Sequence, residues 1–129
     1  MAITKTIEID GKDVTFRASA MIPKLYRIKF RRDIYTDMNK LMKNFNAQKA
    51  ESGELSDIEI ESLEIFENVA YIMAKHGSPD SVPDDPDEWL ESFNTFSIYF
   101  VLPTLFELWG LNTEQQAESK KKFEQLQGK

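Results

Sequence analysis

At 129 residues the chain has the length of one domain, and with 41% hydrophobic and 29% charged residues it has a globular composition, which excludes disordered and fibrous classes. Sixteen basic against 22 acidic residues give a net charge of -6, which disfavours general affinity for nucleic acid. Cysteine is absent, which excludes disulfides, cysteine-based zinc sites and thiol catalysis.

The N-terminal segment has the alternation of apolar and polar residues that is typical of a β-hairpin. Asp10-Gly11 is the turn signal between the two runs. The pattern leaves the loop open at two or four residues, and either length places the same apolar residues on one face: Ile7, Ile9, Val14 and Phe16. Because a lone hairpin is marginal in water, helices must cover that face.

Two helices are predicted next. Ser19 is the candidate N-cap of a helix from about Ala20 to Phe30, with Pro23 in the first turn, where a missing N–H breaks no internal hydrogen bond. Asp33 can start a second helix, whose apolar residues recur at helical spacing: Ile34, Met38, Leu41, Met42 and Phe45. The polar stretch from Asn46 to Glu54 predicts a flexible connection.

A third helix is predicted to be the centre of a bundle. Ser56 and Glu59 form a capping-box pattern at its start, it reaches about Lys75, and Gly77 ends it. Its wide apolar sector consists of Leu63, Phe66, Val69, Ala70, Ile72 and Met73. The segment from His76 to Asp87 contains three prolines among acidic residues, which predicts a loop.

The last helices follow this loop. Asp85-Pro86 marks a helix start with proline at the first helical position. A final core segment is predicted from about Thr95 to Trp109, and Pro103 should kink it or split it in two. Gly110 closes this segment, and a weakly apolar helix after it is expected to be loosely attached.

Together these elements predict an α+β fold, mainly α, with an N-terminal β-hairpin packed on a bundle of about five helices. Residues 1–129 are predicted to form a single domain, with the hairpin over 1–17, the bundle over 18–111 and a loosely attached C-terminal helix or tail over 112–129. The chain shows neither the apolar core of a signal peptide nor the run of about 20 apolar residues that spans a bilayer. A cytoplasmic protein without membrane contact is therefore expected.

No residue pattern predicts catalysis, a metal site or a cofactor site. The single histidine, His76, has no serine or carboxylate partner pattern and is interpreted as a cation at a helix C-terminus. The acidic loop from Asp80 to Glu88 lacks the ligand spacing of an EF-hand, so it is interpreted as a solvated loop that caps a helix. The five glycines are scattered singly, which gives no phosphate-binding loop.

Positive charge is segregated in the stretch from Arg17 to Arg32. A solvated helix face is the first interpretation, a docking surface for an acidic protein the second, and a nucleic-acid contact the third. The candidate protein-binding residues of this stretch are Arg17, Lys24, Arg27, Arg31 and Arg32.

Seven of the fifteen aromatic residues lie in the segment from Trp89 to Trp109. This number exceeds what a single apolar stripe in a small helical bundle needs. Most should be core residues, and several are predicted to form an exposed patch that binds another chain. The candidates are Trp89, Phe93, Phe96, Tyr99, Phe100, Phe106 and Trp109.

Several motifs carry a family resemblance over most of the chain: Phe16 to Ala20, Pro23 to Arg27, Phe30 to Ile34, Ile98 to Pro103, and Glu107 to Asn112. In these motifs the sequence resembles the tail assembly chaperones of long-tailed phages and prophages of Gram-positive bacteria. Arg31 stands where the family pattern usually has a glycine before Arg-Asp-Ile. This difference predicts a less sharp break between the first two helices.

The resemblance implies a non-catalytic chaperone that binds the aggregation-prone tape measure protein, helps to bring the major tail tube protein to it, and stays out of the mature virion. Self-association is compatible with this role. The resemblance also implies a programmed ribosomal frameshift. Gln127-Gly128-Lys129 can be encoded with the slippery heptamer G GGA AAG, and Lys120-Lys121-Lys122 offers an A-rich alternative.

Two other functions stay open at the level of sequence. A structural head-tail connector or minor tail protein would be found in purified virions. In a phage-encoded regulator that binds nucleic acid, the positive charge of the Arg17 to Arg32 stretch would have to dominate the electrostatic field of the protein. The affinity of such a regulator for nucleic acid would fall as the salt concentration rises.

Overall fold

A computed structural model describes residues 3–52, 60–98 and 100–110 of the chain. Its elements in chain order are β1 (Ile3–Ile9), β2 (Lys12–Ala18), α1 (Ile22–Phe30), α2 (Ile34–Ser52), α3 (Ile60–Gly77) and α4 (Pro86–Glu91). A further helix, α5, begins at Ile98 and includes residues 100–110. The described part of the chain is mainly α with an N-terminal hairpin, which confirms the predicted fold class.

The hairpin closes through a two-residue turn. Asp10 and Gly11 both have positive φ, 54° and 76°, as a tight turn between twisted strands requires. The register pairs Ile7 with Val14 and Ile9 with Lys12, so the shorter of the two loop lengths is present. The apolar face forms as predicted, because Ile9, Val14 and Phe16 are buried and Ile7 is half-buried.

The central position predicted for α3 is confirmed. β2 packs along α3, and α1, α2 and α4 also contact it. Residues 69–74 of α3 are all buried, so this helix is surrounded on nearly every side. At its end the backbone of Gly77 lies against the carbonyl group of Thr15, and a Cβ there would overlap the Thr15 oxygen. Strand and helix therefore meet at a distance that only glycine permits.

The start predicted for α1 is wrong. The N-cap is Met21, without a side-chain cap, and the helix begins at Ile22 with Pro23 in its first turn. Ser19 lies two residues earlier, where its Oγ accepts a hydrogen bond from the Met21 N–H at 3.2 Å. The Ser19 side chain therefore supports the turn before the helix and does not cap the helix itself.

The flexible connection predicted from Asn46 is also wrong in the part that the structure describes, since α2 continues to Ser52. Alanine, glutamine, lysine and glutamate dominate residues 47–51, and these are good helix formers with no glycine or proline among them. Polarity alone therefore did not end the helix. The predicted capping box at Ser56 and Glu59 lies outside the described residues.

The last core segment starts later than predicted, because residues 95–97 are not helical. The amide of Asn94 donates to the Asp10 carboxylate at 2.8 Å, and Lys12 Nζ contacts the Ser92 carbonyl oxygen, so this segment is held against the hairpin turn. The helix is not split at Pro103, since 100–110 is continuous. The core contacts of its buried residues outweigh the one hydrogen bond that proline removes.

The C-terminal helix or tail predicted for 112–129 lies outside the described residues, as does the end of α5. Within the described ranges, no helix combines the length and the apolarity needed to cross a membrane.

The break between α1 and α2 is sharp, which corrects the prediction made from Arg31. Arg31 takes a left-handed conformation, φ 60° and ψ 37°, and its N–H donates to the Arg27 carbonyl at 2.8 Å. Asp33 then caps α2 as predicted, accepting the Tyr35 N–H at 3.1 Å. Position 31 therefore has the backbone geometry that glycine adopts without strain.

Replacing Arg31 with glycine is expected to raise the free energy of unfolding by about 1 kcal/mol, because the left-handed conformation costs an L residue about that much. Arg27→Gly is the matched control, since it also removes an arginine but places glycine inside α1, where it should destabilise by about 1 kcal/mol. Urea denaturation measures both variants. A loss of stability in both would contradict the strain assigned to Arg31.

Candidate protein-binding site

As predicted, most of the described aromatic residues between Trp89 and Trp109 belong to the core, but they form no exposed patch, because only Phe100 among them is exposed. Trp89 and Trp109 are buried, three phenylalanines, Phe93, Phe96 and Phe106, are half-buried, and Phe100 is 57% exposed. Tyr99 lies outside the described residues. The segment is thus mainly a source of core side chains.

The reason is a cluster of aromatic contacts that sequence periodicity does not reveal. The Trp89 ring lies 5.2 to 5.9 Å from the rings of Tyr71, Phe93 and Phe96, in edge-to-face geometry. The Trp109 ring lies 5.2 Å from that of Tyr35. These contacts remove the rings from water by packing them on α2 and α3.

The basic residues predicted to bind protein are all exposed: Arg17, Lys24, Arg27, Arg31 and Arg32. These basic residues do not form one continuous face. Arg32 turns inward to the carboxylate of Asp37, and Arg27, Arg31 and Arg32 border a cavity of about 300 Å³ beside Tyr35. Arg17 lies on β2 and lines a different, larger cavity.

That larger cavity, the α1–α3 groove, has a volume of about 480 Å³ and lies between α1, the C-terminal half of α3 and the loop after it. Its apolar lining residues are Leu25, Ile28, Tyr71, Ile72 and Pro79. Its polar and charged lining residues are Arg17, Lys29, Lys75, His76 and Asp84. The groove therefore combines an apolar interior with a mainly cationic border.

The loop over residues 78–85 forms one wall of the groove and is tied to α3. Lys75 Nζ donates to the carbonyl oxygens of Pro79 and Val82 at 2.8 and 2.6 Å, and the Tyr71 hydroxyl donates to that of Pro83 at 2.7 Å. Lys75 also pairs with the Asp84 carboxylate at 2.9 Å. The hydrogen bond and the charge of Lys75 lower the pKa of Asp84.

A third side chain ties the same loop to α1. Lys29 Nζ donates to the Asp84 carbonyl oxygen at 2.6 Å and lies 5.8 Å from the centre of the Tyr71 ring, within reach of a cation–π interaction. The wall of the groove is consequently fixed from both helices.

His76 lies in the last turn of α3, as predicted, but not as the predicted cation. Burial lowers the pKa of His76, and the nearby charge of Arg17 lowers it further. Its Nε2 is 2.9 Å from Ser19 Oγ, so a neutral imidazole is satisfied by a hydroxyl partner. Partial burial and the nearby arginine both disfavour the cation that a helix C-terminus attracts.

A second polar cluster occupies the corner between α1 and α2. The buried Asp37 carboxylate accepts from the Tyr26 hydroxyl at 2.7 Å and from two nitrogens of Arg32 at 2.7 and 2.8 Å. Burial acts to raise the pKa of Asp37, but these hydrogen bonds and the charge of Arg32 outweigh it and leave the pKa lowered. Burial and the bond to Asp37 raise the pKa of Tyr26. The cluster joins α1, α2 and the segment between them, and it holds this corner together.

Among the described residues, no group of three or more histidine, aspartate or glutamate side chains is arranged to hold a metal ion. The acidic loop serves instead as a capping segment, because the Asp85 side chain accepts the Asp87 N–H at the start of α4. That capping role was predicted.

The groove itself was not predicted. Ile72 belongs to the predicted apolar sector of α3, whereas Ile28 is an isoleucine between Arg27 and Lys29 that no predicted apolar sector includes. An apolar residue on an otherwise basic surface was the one signal available. Ile28 is 61% exposed.

The chain matches no protein-family model, and no curated protein or solved structure is significantly similar to it.

Proposed function

We propose that the protein is a non-catalytic phage tail assembly chaperone that binds the tape measure protein and helps to recruit tail tube subunits. The observation that carries the binding role is the α1–α3 groove, an apolar cavity bordered by positive charge in a chain of net charge -6. The identity of the partner rests on the resemblance of the motifs around Phe16 to Ile34 and Ile98 to Asn112.

In this proposal the groove covers apolar side chains of the tape measure protein, which aggregates when they are exposed to water. Its basic border orients the partner by attraction. The aromatic segment from Trp89 acts indirectly, because the Trp89 ring packs on Tyr71, which lines the groove. The protein works in the host cytoplasm during tail assembly and leaves the tail before the virion is mature.

Co-expression with the neighbouring tape measure gene tests the proposal. We expect most of the tape measure protein to be soluble with this chain and insoluble without it, and the two to purify together. An unrelated acidic protein of similar size is the control for general solubilisation. Equal solubility with the control would contradict the chaperone function, and abundant copies of this chain in purified virions would favour a structural tail protein.

A further inference from the structure

We infer that the α1–α3 groove binds an amphipathic helix of the tape measure protein whose apolar stripe is flanked by acidic residues. This inference rests on the proposed function and names the kind of partner segment and the surface that receives it. It is carried by the shape of the groove, by its exposed isoleucine and by the distribution of charge around it.

The apolar part of the groove suits a helix. At about 100° per residue, Leu25, Ile28 and Lys29 fall on one side of α1, facing the loop and α3, while Tyr26 points to the core. Tyr71 and Ile72 line the groove from α3. Because both are nearly fully buried, they form the base of the groove. An apolar stripe spaced at three and four residues fits a trough between two helices.

The exposed isoleucine is the main unsatisfied feature of this surface. Ile28 keeps 61% of its area in contact with water, whereas Leu25, one turn earlier, is half-buried. Covering Ile28 would add apolar contact next to side chains that are already held in place. Burying an exposed apolar side chain of this size contributes favourably to binding.

The charge around the groove selects an acidic partner. From Arg17 to Arg32 the sequence has basic residues and no acidic one. Arg17, Lys29 and Lys75 border the groove against Asp84, which Lys75 already neutralises. Within the described residues, no ion pair involves Arg17. A helix with glutamate or aspartate beside its apolar stripe would therefore be attracted, and a basic one repelled.

The same charge argues against the end of this chain as the occupant. Residues 111–129 contain three glutamates and four lysines, so they have no acidic excess to complement Arg17 and Lys29. The overall charge of -6 likewise disfavours the close approach of a second copy. A second copy would bind only by placing an acidic helix in the groove. Binding within the chain or between copies is thus an outcome that the experiment must be able to detect.

Two matched pairs of variants in the full chain test the inference by co-purification with the tape measure protein. Ile28→Glu places a charge in the groove, and Ile60→Glu makes the same change at an isoleucine that is 84% exposed elsewhere. Arg17→Glu reverses the charge of the border, and Lys43→Glu does so on the exposed side of α2. All four positions are exposed, and thermal melting verifies that each variant folds.

We expect Ile28→Glu and Arg17→Glu each to reduce the affinity for the tape measure protein by about tenfold or more, with less than about twofold change in the two controls. The effect of Arg17→Glu should shrink as salt is raised, because it is electrostatic. If wild-type protein co-purifies but all four variants bind equally, the groove is not the site and the chaperone function stands. If wild-type protein does not co-purify, both proposals fall.

A photo-crosslinking phenylalanine analogue at position 28 identifies the occupant, with the same analogue at position 43 as the control. Mass spectrometry of the product from position 28 is expected to map a tape measure segment with apolar residues at helical spacing and an excess of aspartate and glutamate. Crosslinks to a basic segment, to residues 111–129 of the same chain or to a second copy would overturn the inference.

Discussion

Replacing Gly77 with alanine is expected to lower the free energy of unfolding by about 3 kcal/mol, although alanine is normally the better helix former by about 1 kcal/mol. The added Cβ would overlap the carbonyl oxygen of Thr15 and lie 3.0 Å from its carbonyl carbon. Because this neighbour is backbone, no side chain can rotate away, and β2 and α3 must separate. Urea denaturation followed by circular dichroism measures the loss.

Gly110→Ala is the matched control, since Gly110 also lies in a helix but a Cβ there would meet nothing within 4 Å. That variant should be unchanged or more stable by up to about 1 kcal/mol. Opposite signs for the two substitutions are the expected result. A Gly77→Ala variant as stable as Gly110→Ala would show that the hairpin does not dock on α3 at the distance described.

The second large effect is expected at Asp37, whose replacement by alanine should destabilise the protein by about 3 kcal/mol. The Tyr26 hydroxyl, on a side chain that is fully buried, would lose its carboxylate acceptor. Arg32 would lose two hydrogen bonds, but its side chain is 45% exposed and can be hydrated, which keeps the cost moderate. Asp13→Ala, at an exposed position on β2, should change stability by less than about 0.5 kcal/mol.

The Asp37 cluster also predicts how stability depends on pH. The pKa of Asp37 is lowered in the folded protein from an ordinary value of 3.8, so folding favours the charged form. The corresponding stability is complete well above pH 3.8 and is lost as the pH falls through the lower, folded-state pKa. Asp37→Asn removes this contribution. The difference in unfolding free energy between wild type and Asp37→Asn should therefore shrink from pH 6 to pH 2.5, and a constant difference would contradict this assignment.

Local patterns were sufficient to predict most of the elements. The alternation around Asp10-Gly11 defined the hairpin and its buried face, and Asp33 and Asp85-Pro86 marked true helix starts. The wide apolar sector of α3 predicted its central place. These features depend on residues within a few positions of one another, which is why they can be derived from the sequence.

The failures arise where distant parts of the chain meet. The rings of Trp89 and Trp109 pack on Tyr71 of α3 and Tyr35 of α2, and no local spacing indicates these contacts. The pKa of His76 is lowered by burial and by the charge of Arg17, which is 59 positions away in sequence but close in the fold. The groove needs α1, α3 and the 78–85 loop together, so no local pattern in the sequence predicted it.

The way in which the 78–85 loop is anchored affects how its sequence can vary. Lys29, Tyr71 and Lys75 hold it mainly through main-chain oxygens, those of Pro79, Val82, Pro83 and Asp84. Main-chain acceptors are present whatever side chain a residue carries. Substitutions at exposed loop positions such as Asp80 and Ser81 therefore change the surface of the loop while its path stays the same.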